Sequence, residues 1–591
     1  MRTKGAQQSP WLSGLKRLIP CNQWARPTPA TLRADLAAGL AVALVLIPQS
    51  MAYAALANMP PHYGLYAAFV PVAVAVIWGS SPQLSTGPVA VIALLTATAL
   101  APLATPGSEE HIALAVVLAL LVGILKLLLG LFSLGTLINF LAHPVMLGFT
   151  SAAALVIALS QVNDLLGVPL DRDRGIVLGV IDALGRLPEA HLPTLAMGLA
   201  AIGLMLGARY WLPRVPGVIV AVGVLIPLSH LTGFEAAGGA VVGEIPQGLP
   251  APSLIIPDWS TVLELLAPAA VISLVSLIEA TSIAKAIAAR TRDRLDPNQE
   301  LVGQGLASLA AGAFQTFSVS GSFSRSALNY RTGARTGLSS VLTAAFVGAA
   351  LLFFTPVLAP LPEAVLAAII IMSVTGLIDL KAIRWTWQTH RHDGIAAVAT
   401  FIGTLAFAPR LDYGVLLGAA LAILLYLLRT MRPRVVIVSR HPEDNTLRDA
   451  RRFELPESPH IVALRFDGPL YFANTGHLED AVLEVIHQYP RARFVLLIAD
   501  GITSIDSSGA ETLHAIHEQL QDNGITLVLA GVKLQVAEVL ERGGICDEIG
   551  REQIFRNEDD AIDAIHQRID EPDFAPETCP LRPRPAPYHG A

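Results

Sequence analysis

From Leu36 to Ser108 the chain carries no Asp, Glu, Lys or Arg. Elements of a soluble fold keep one polar face toward water, so an uncharged run of 73 residues leaves nothing to solvate. At about 20 residues per spanning helix, the run holds roughly three membrane helices. Only 15% of the chain is charged, against about 25% in an average soluble domain. Apolar stretches recur as far as Leu428. The clear ones lie near 36–57, 64–79, 88–104, 112–134, 194–212, 215–231, 262–288, 338–358, 361–378 and 411–428, with less clean ones near 140–160, 299–314, 323–334 and 393–408. They predict a polytopic α-helical membrane protein with 12 to 14 spans. The first run is followed at once by others and reads as a membrane helix rather than a cleaved signal.

Charge divides the chain in two. From Arg440 onward there are 27 acids and 14 Lys/Arg, a balance of −13; the remainder has 20 acids and 26 bases, +6, giving the total of −7. Lys16, Arg17, Arg26 and Arg33 precede the first span, and Arg429, Arg432 and Arg434 follow the last. Cytoplasmic flanks are enriched in Lys and Arg, so both termini are expected in the cytoplasm and the span count should be even. After Pro433 the pattern changes. Segments 462–472, 494–500 and 525–531 read as strands, and 509–524 and 533–544 as helices, which makes a small α/β domain. The expected organisation is a cytoplasmic segment 1–33, a membrane domain 34–432, a cytoplasmic domain with linker 433–570, and a Pro-rich disordered tail 571–591.

No phosphate-binding G-x-x-x-x-G-K-[ST] loop is present, so any transport must run on gradients rather than on nucleotide hydrolysis by this chain. Cys21, Cys546 and Cys579 are scattered, and no zinc-protease motif or Cys/His cluster occurs. The chain is not expected to be an enzyme, nor to take a cofactor, a metal centre or a nucleic acid.

Polar residues inside the apolar part are few and recur in two matching places. LIPQSMAYAALA (46–57) puts Gln49 in an apolar helix, and LIEATSIAKAIA (277–288) puts Glu279 in another, 230 residues later. QLSTGPVAVIALL (83–95) and SVSGSFSRSALN (318–329) each set hydroxyls and a glycine before an apolar helix, with Thr86 and Ser324 offset by 238. Such pairs mark transporters built from two repeats, whose sites lie where broken helices meet near the bilayer midplane. A helix that starts in mid-membrane leaves its first amides unpaired, and amides and helix dipole together favour an anion. Hydroxyls of Ser85, Thr86, Ser322 and Ser324 add donors, and Arg325 adds full positive charge. The pattern predicts a small anionic substrate.

Glu279 is costly in an apolar helix and so is a functional candidate. It reads as a proton carrier whose protonation removes repulsion as the anion binds, as a partner of Arg325 in the empty site, or as a fixed ion pair. Thr281 and Ser282 beside it keep a sodium ion open as the coupling ion. Lys126 reads as a side chain that snorkels or faces a neighbouring helix.

Taken together, IPQSMAYAALANMPPHYGLYAAFVP (47–71), STGPVAVIALL (85–95), HPVMLGFTSAAAL (143–155), LDPNQELVGQGLAS (295–308) and FQTFSVSGSFSRSALNYRTGART (314–336) resemble the SulP family of anion transporters, over about 30–570. The soluble part resembles the STAS domain that usually follows in that family. The resemblance implies fourteen membrane segments as two inverted repeats of seven, divided into core and gate domains, a homodimer, and elevator-like alternating access. Carried over position by position, it names Gln49 and Tyr53, Val89 at the third helix start, Glu279, and Ser324 with Arg325. It also makes DSSG (506–509) similar to a phosphorylated segment of anti-sigma-factor antagonists, so Ser507 and Ser508 are regulatory candidates, or a simple helix start, and a cytoplasmic partner at this domain is expected.

The resulting expectation is a secondary active transporter in the cell's plasma (inner) membrane, coupled to H+ or Na+. Sulfate leads, bicarbonate follows and dicarboxylates come third. An anion exchanger, a passive channel and an anion sensor are the other classes.

Overall fold

A computed structural model describes residues 24, 28–135, 143–168, 185–213, 215–253, 255, 258–408, 410–571 and 574–583. The chain forms two compact units, Met1–Ala422 and Ile423–Ala591. Down to Thr430 it is helical. In chain order come α1 (Pro29–Leu56), α2 (Pro61–Ala67), α3 (Val70–Trp78), α4 (Ala90–Leu100), α5 (Glu109–Leu131), α6 (His143–Ser160), α7 (Val162–Leu166), α8 (Leu192–Trp211) and α9 (Gly217–Thr232). There follow α10 (Trp259–Thr291), α11 (Pro297–Ala313), α12 (Phe323–Arg331), α13 (Leu338–Ala349), α14 (Thr355–Leu358), α15 (Glu363–Thr375), α16 (Leu380–Thr389), α17 (Arg391–Ala406) and α18 (Leu411–Thr430). A helix lies in every apolar stretch read from the sequence, and the 64–79 stretch divides into α2 and α3 around Phe69. Nine helical spans among the described residues are long and apolar enough to cross a bilayer.

Helix starts carry the expected chemistry. Thr28 and Thr31 form a reciprocal capping box on α1. Ser108, Asp296 and Asp379 accept amide protons at the starts of α5, α11 and α16. Along α1, Leu32, Leu36, Leu40 and Leu44 form an exposed stripe at i, i+4 spacing, while Asp35, Gly39, Val42 and Leu46 are buried. An apolar stripe turned outward suits lipid, not water.

With lipid outside, helices associate by close packing and internal hydrogen bonds rather than by water expulsion. The α5–α11 pair shows this. A Cβ placed on Gly305 would sit 2.6 Å from the Leu127 backbone nitrogen, and one on Gly123 2.7 Å from that of Leu309. We expect Gly305→Val to destabilise the protein by about 1–3 kcal/mol through overpacking, read as a lower melting temperature of the detergent-solubilised protein; an unchanged melting temperature would show that the helices separate freely.

The second unit is a six-stranded sheet in the order β4-β3-β5-β6-β7-β8. The membrane part holds two short strands, β1 (Thr86–Gly87) and β2 (Ser320–Gly321). The sheet is built from β3 (Arg434–Arg440), β4 (Leu447–Asp449), β5 (Ile461–Asp467), β6 (Phe494–Ile498), β7 (Thr526–Ala530) and β8 (Ile554–Phe555). Strands β5 to β8 are parallel, and β3 is antiparallel to both neighbours. Its helices are α19 (Thr475–Gln488), α20 (Ser507–Asp522), α21 (Leu534–Arg542), α22 (Ile545–Ile549) and α23 (Glu558–His566). Leu478 and Val482 of α19, Leu513 and Ile516 of α20 and Val536 of α21 cover one sheet face.

The other face is covered by Ala561, Ile562 and Ile565 of α23 together with Cys579 and Leu581. The expectation of a disordered tail over 571–591 therefore does not describe 574–583. Arg440 Nε donates to the Leu581 carbonyl at 2.8 Å, and its Nη2 pairs with Asp559. A Pro-rich segment orders here because the sheet needs apolar cover that α23 alone does not supply. Residues 572, 573 and 584–591 lie outside the described residues.

Candidate functional site

Strands β1 and β2 pair antiparallel inside the membrane unit, Thr86 opposite Gly321 and Gly87 opposite Ser320. Helix α4 starts just beyond β1 and α12 just beyond β2, so their first turns flank this two-residue ladder. Val89 and Ser322 are the N-cap residues, both extended, and neither gives its helix a side-chain cap. The first α4 amides, Ala90 to Ile92, and the first α12 amides, Phe323 to Arg325, thus lack intrahelical acceptors.

A polar clamp holds the ladder. The Ser322 amide donates to the Ser85 carbonyl at 2.9 Å. The Ser85 amide donates to Ser326 Oγ at 2.8 Å, and Asn329 Nδ2 to the Gln83 carbonyl at 3.1 Å. Gln304 Nε2 reaches Thr86 Oγ1 at 2.7 Å and the Glu300 carboxylate at 3.3 Å. Glu300 in turn accepts the Ser80 and Ser81 amides, each at 2.9 Å. Ser276 Oγ donates to Ser320 Oγ at 2.9 Å. Every partner is a neutral donor or acceptor except Glu300, so the clamp fixes the helix starts without filling them with charge.

Arg325 is fully buried at the first turn of α12, yet Nε, Nη1 and Nη2 have no hydrogen-bond partner among the described residues. Its guanidinium lies against β1: a Cβ on Gly87 would be 3.2 Å from Nη2. Gly87 also has φ 155°, a conformation that glycine adopts without strain. Both facts call for glycine there. The titratable groups close to Arg325 are the neutral Tyr53 phenol and the Glu279 carboxylate.

Glu279, on α10, has Oε2 buried without a partner, and the Ser320 side chain lies beside its carboxylate. Arg325 and Lys126 are the bases acting on it. Gln49 Nε2 donates to Ser373 Oγ of α15 at 3.3 Å, leaving Oε1 buried and unpartnered. The Tyr53 phenol lies beside the same Ser373 side chain.

The structure thus gathers Gln49, Tyr53, Glu279 and Arg325 around shared partners. Val89 is buried at the α4 start, and Ser322 is buried with its Oγ 3.5 Å from that of exposed Ser324. Thr86 is buried, its hydroxyl oxygen occupied by Gln304. Ser507 and Ser508 stand apart, in the second unit. Asp506 is the N-cap of α20 and accepts the Gly509 amide at 2.8 Å, so neither serine caps that helix; Ser507 is exposed and Ser508 half-buried.

Sequence reasoning passed over Ser326, Asn329, Gln304 and Ser373. The first two were findable: at i+4 and i+7 from Ser322 they share the face of α12 that carries Arg325, opposite exposed Ser324 and Arg331. Lys126 does not snorkel. It is fully buried on α5, and its Nζ donates to the Val319 carbonyl at 3.0 Å and Ser308 Oγ at 3.3 Å.

Fold and site together define a polytopic helical membrane protein with paired half-helix starts and an unneutralised buried arginine between them. Residues 32–400 match the sulfate permease family and 452–561 the STAS domain. The chain belongs to the sulfate permease family: it is an anion transporter with a C-terminal STAS domain, not an enzyme. It is 35% identical to sulfate transporter 4.1 (chloroplastic) of Arabidopsis thaliana, across 95% of this chain and 86% of that protein. It is 34% identical to a probable sulfate transporter of Mycobacterium tuberculosis, across 91% of this chain and 96% of that one. In fold it is similar to the murine solute carrier 26 family member A9 anion transporter in the inward-facing state, with TM-score 0.87 and 22% identity over 95% of this chain and 96% of that one. The transmembrane domain of a cyanobacterial bicarbonate transporter, BicA, superposes with TM-score 0.57 and 24% identity over 67% of this chain and 99% of that one.

Proposed function

We propose that the protein is a secondary active transporter that carries sulfate together with a proton. The observation that carries this reading is Arg325, a buried guanidinium at a half-helix start with every nitrogen unpartnered among the described residues. Leaving such a donor set unpaired in a dry site costs several kcal/mol unless a ligand accepts from it. Free amides of α4 and α12 add donors of the same sign. Names of the relatives, sulfate transporters of a plant and a bacterium, support sulfate over other small anions.

Charge balance supports the proton. Arg325 and Lys126 against Glu279 leave the ionised, empty site one positive charge in excess. A dianion overshoots that by one, and a proton on Glu279 removes the remainder. Bicarbonate, a monoanion, balances the site with no proton. It is the second reading, favoured by this arithmetic alone; a dicarboxylate would behave as sulfate does. An exchanger or channel has less use for an acid inside a membrane helix, where a carboxylate is costly unless it does something.

Around this site the reading is of fourteen membrane segments in two inverted repeats of seven, whose core carries the anion past the gate by an elevator-like motion. It is of a homodimer in the plasma membrane with both termini in the cytoplasm. Ser507, exposed in the first turn of α20, is the proposed regulatory position of the STAS domain, together with Ser508. Uptake into proteoliposomes of labelled sulfate, bicarbonate, chloride and dicarboxylates, with H+ and Na+ gradients imposed separately, tests it. The expected result is sulfate uptake driven by external acid. Bicarbonate uptake without sulfate uptake would establish the second reading, and steady anion current independent of any cation gradient would establish a channel.

A further inference from the structure

Lys126 enters the charge balance above but has no part there in binding the anion or carrying the proton, and its surroundings are specific. It sits on α5 with no exposed surface. Its ammonium is held by a main-chain carbonyl, that of Val319 on the residue before β2, and by Ser308 Oγ of α11. Ser308 is itself within 3.2 Å of Ser318 Oγ. Glu279 is the acid acting on Lys126, and Glu279 also meets Ser320 of β2. A carbonyl at an unwound chain, a hydroxyl and a nearby carboxylate are the oxygens with which broken-helix transporters hold a coupling sodium ion. In this chain the carbonyl and the hydroxyl hold an ammonium, and the carboxylate acts on it from beyond ion-pair contact.

We infer that Lys126 is a tethered cation, standing where a sodium ion would otherwise balance Glu279 and fix the chain entering β2. The consequence is a transporter that needs no sodium. A fixed charge cannot be released to either side, so it contributes no gradient energy, and the travelling cation has to be the proton on Glu279. This rests on the transport reading above and adds a structural reason why its coupling ion is H+ and not Na+. The same placement makes Lys126 a positioning residue: its two hydrogen bonds tie β2, and through β2 the start of α12, to α5 and α11. A lysine ammonium and a sodium ion differ here in one testable respect, since only the second can be supplied from solution.

The test uses the full-length protein in proteoliposomes, with uptake measured in sodium and in N-methylglucamine media. Wild-type uptake should be equal in the two. Lys126→Ser, which opens space and adds an oxygen, should lose about tenfold or more in sodium-free medium, and saturating sodium should restore a large part of it. Lys126→Met, which fills the space without charge, should lose activity without sodium rescue. Sodium-dependent uptake by the wild type would overturn the inference. So would Lys126→Ser activity that is undiminished without sodium. Activity lost beyond sodium rescue in a well-folded Lys126→Ser protein would reduce Lys126 to an anchor for β2 and overturn it equally. If the wild type proves to carry bicarbonate instead of sulfate, the proposed substrate fails, while the sodium comparison is made on bicarbonate and still decides the role of Lys126.

Discussion

Arg325→Ala lowers anion affinity by about thirtyfold or more, and uptake falls with it. The magnitude follows from the environment. Removing one partner of a buried, charge-assisted contact typically costs about 2–5 kcal/mol, and about 1.4 kcal/mol is a factor of ten. Nothing else in the site replaces the charge: Lys126 already serves the Val319 carbonyl and Ser308, and the remaining donors are neutral. The fold should survive, because the clamp on β1 and β2 runs through Ser326, Asn329 and Gln304 rather than Arg325. Removing the arginine also frees Glu279 of one of its two bases. Uptake kinetics should therefore show a raised KM for the anion in a protein of unchanged melting temperature. Arg325→Lys should recover only part of the loss, since an ammonium lacks the planar donor fork. An unchanged KM in Arg325→Ala would remove this residue from the site.

The second large effect is on driving force. Glu279→Gln keeps the shape and a polar side chain beside Ser320 while abolishing the titration. With the membrane potential clamped at zero, one proton per cycle allows a pH difference of one unit to drive about tenfold accumulation, since one unit is about 1.36 kcal/mol. Wild-type vesicles should approach that ratio with acid outside. Glu279→Gln vesicles should equilibrate and not accumulate, yet still exchange internal for external anion. The groups facing Glu279 are Arg325, Lys126 and Ser320; both bases already hold their protons in the ionised site and have none to take up in place of the carboxylate. Acid-driven accumulation that persists in the mutant would place the coupling proton elsewhere.

Legibility followed residue chemistry. The stretch 319–336 could be read because hydroxyls, glycines and arginines are conspicuous in an apolar chain, and its pairing with 85–87 followed from like spacing in the two halves. The structure makes that pairing literal, with Gly87 opposite Ser320. Glutamines and serines of the clamp could not be read, because nothing in a lone Gln304 or Ser373 says which distant backbone it will meet. For Lys126 the sequence leaves two readings open, snorkelling and facing a neighbouring helix, and the second holds. Snorkelling assumes that a lysine on an apolar helix faces lipid, whereas α5 packs this one against α11 across glycines. In the second unit the apolar strands β5, β6 and β7 announce themselves. β3, β4 and β8 were not recognised: β3 begins and ends on an arginine and directly follows the charged end of the last membrane helix, and β4 and β8 are only three and two residues long. The tail over 574–583 was read from its prolines, and its order comes from a sheet face that no local pattern in the tail reveals.

Equilibrium binding of labelled sulfate to the purified protein tests the central claim most directly, because it separates the anion site from coupling and from motion. The account predicts saturable binding of one sulfate per chain, weakened about thirtyfold or more by Arg325→Ala and left nearly intact by Glu279→Gln at acid pH. Saturable binding of equal strength in the wild type and Arg325→Ala would contradict it.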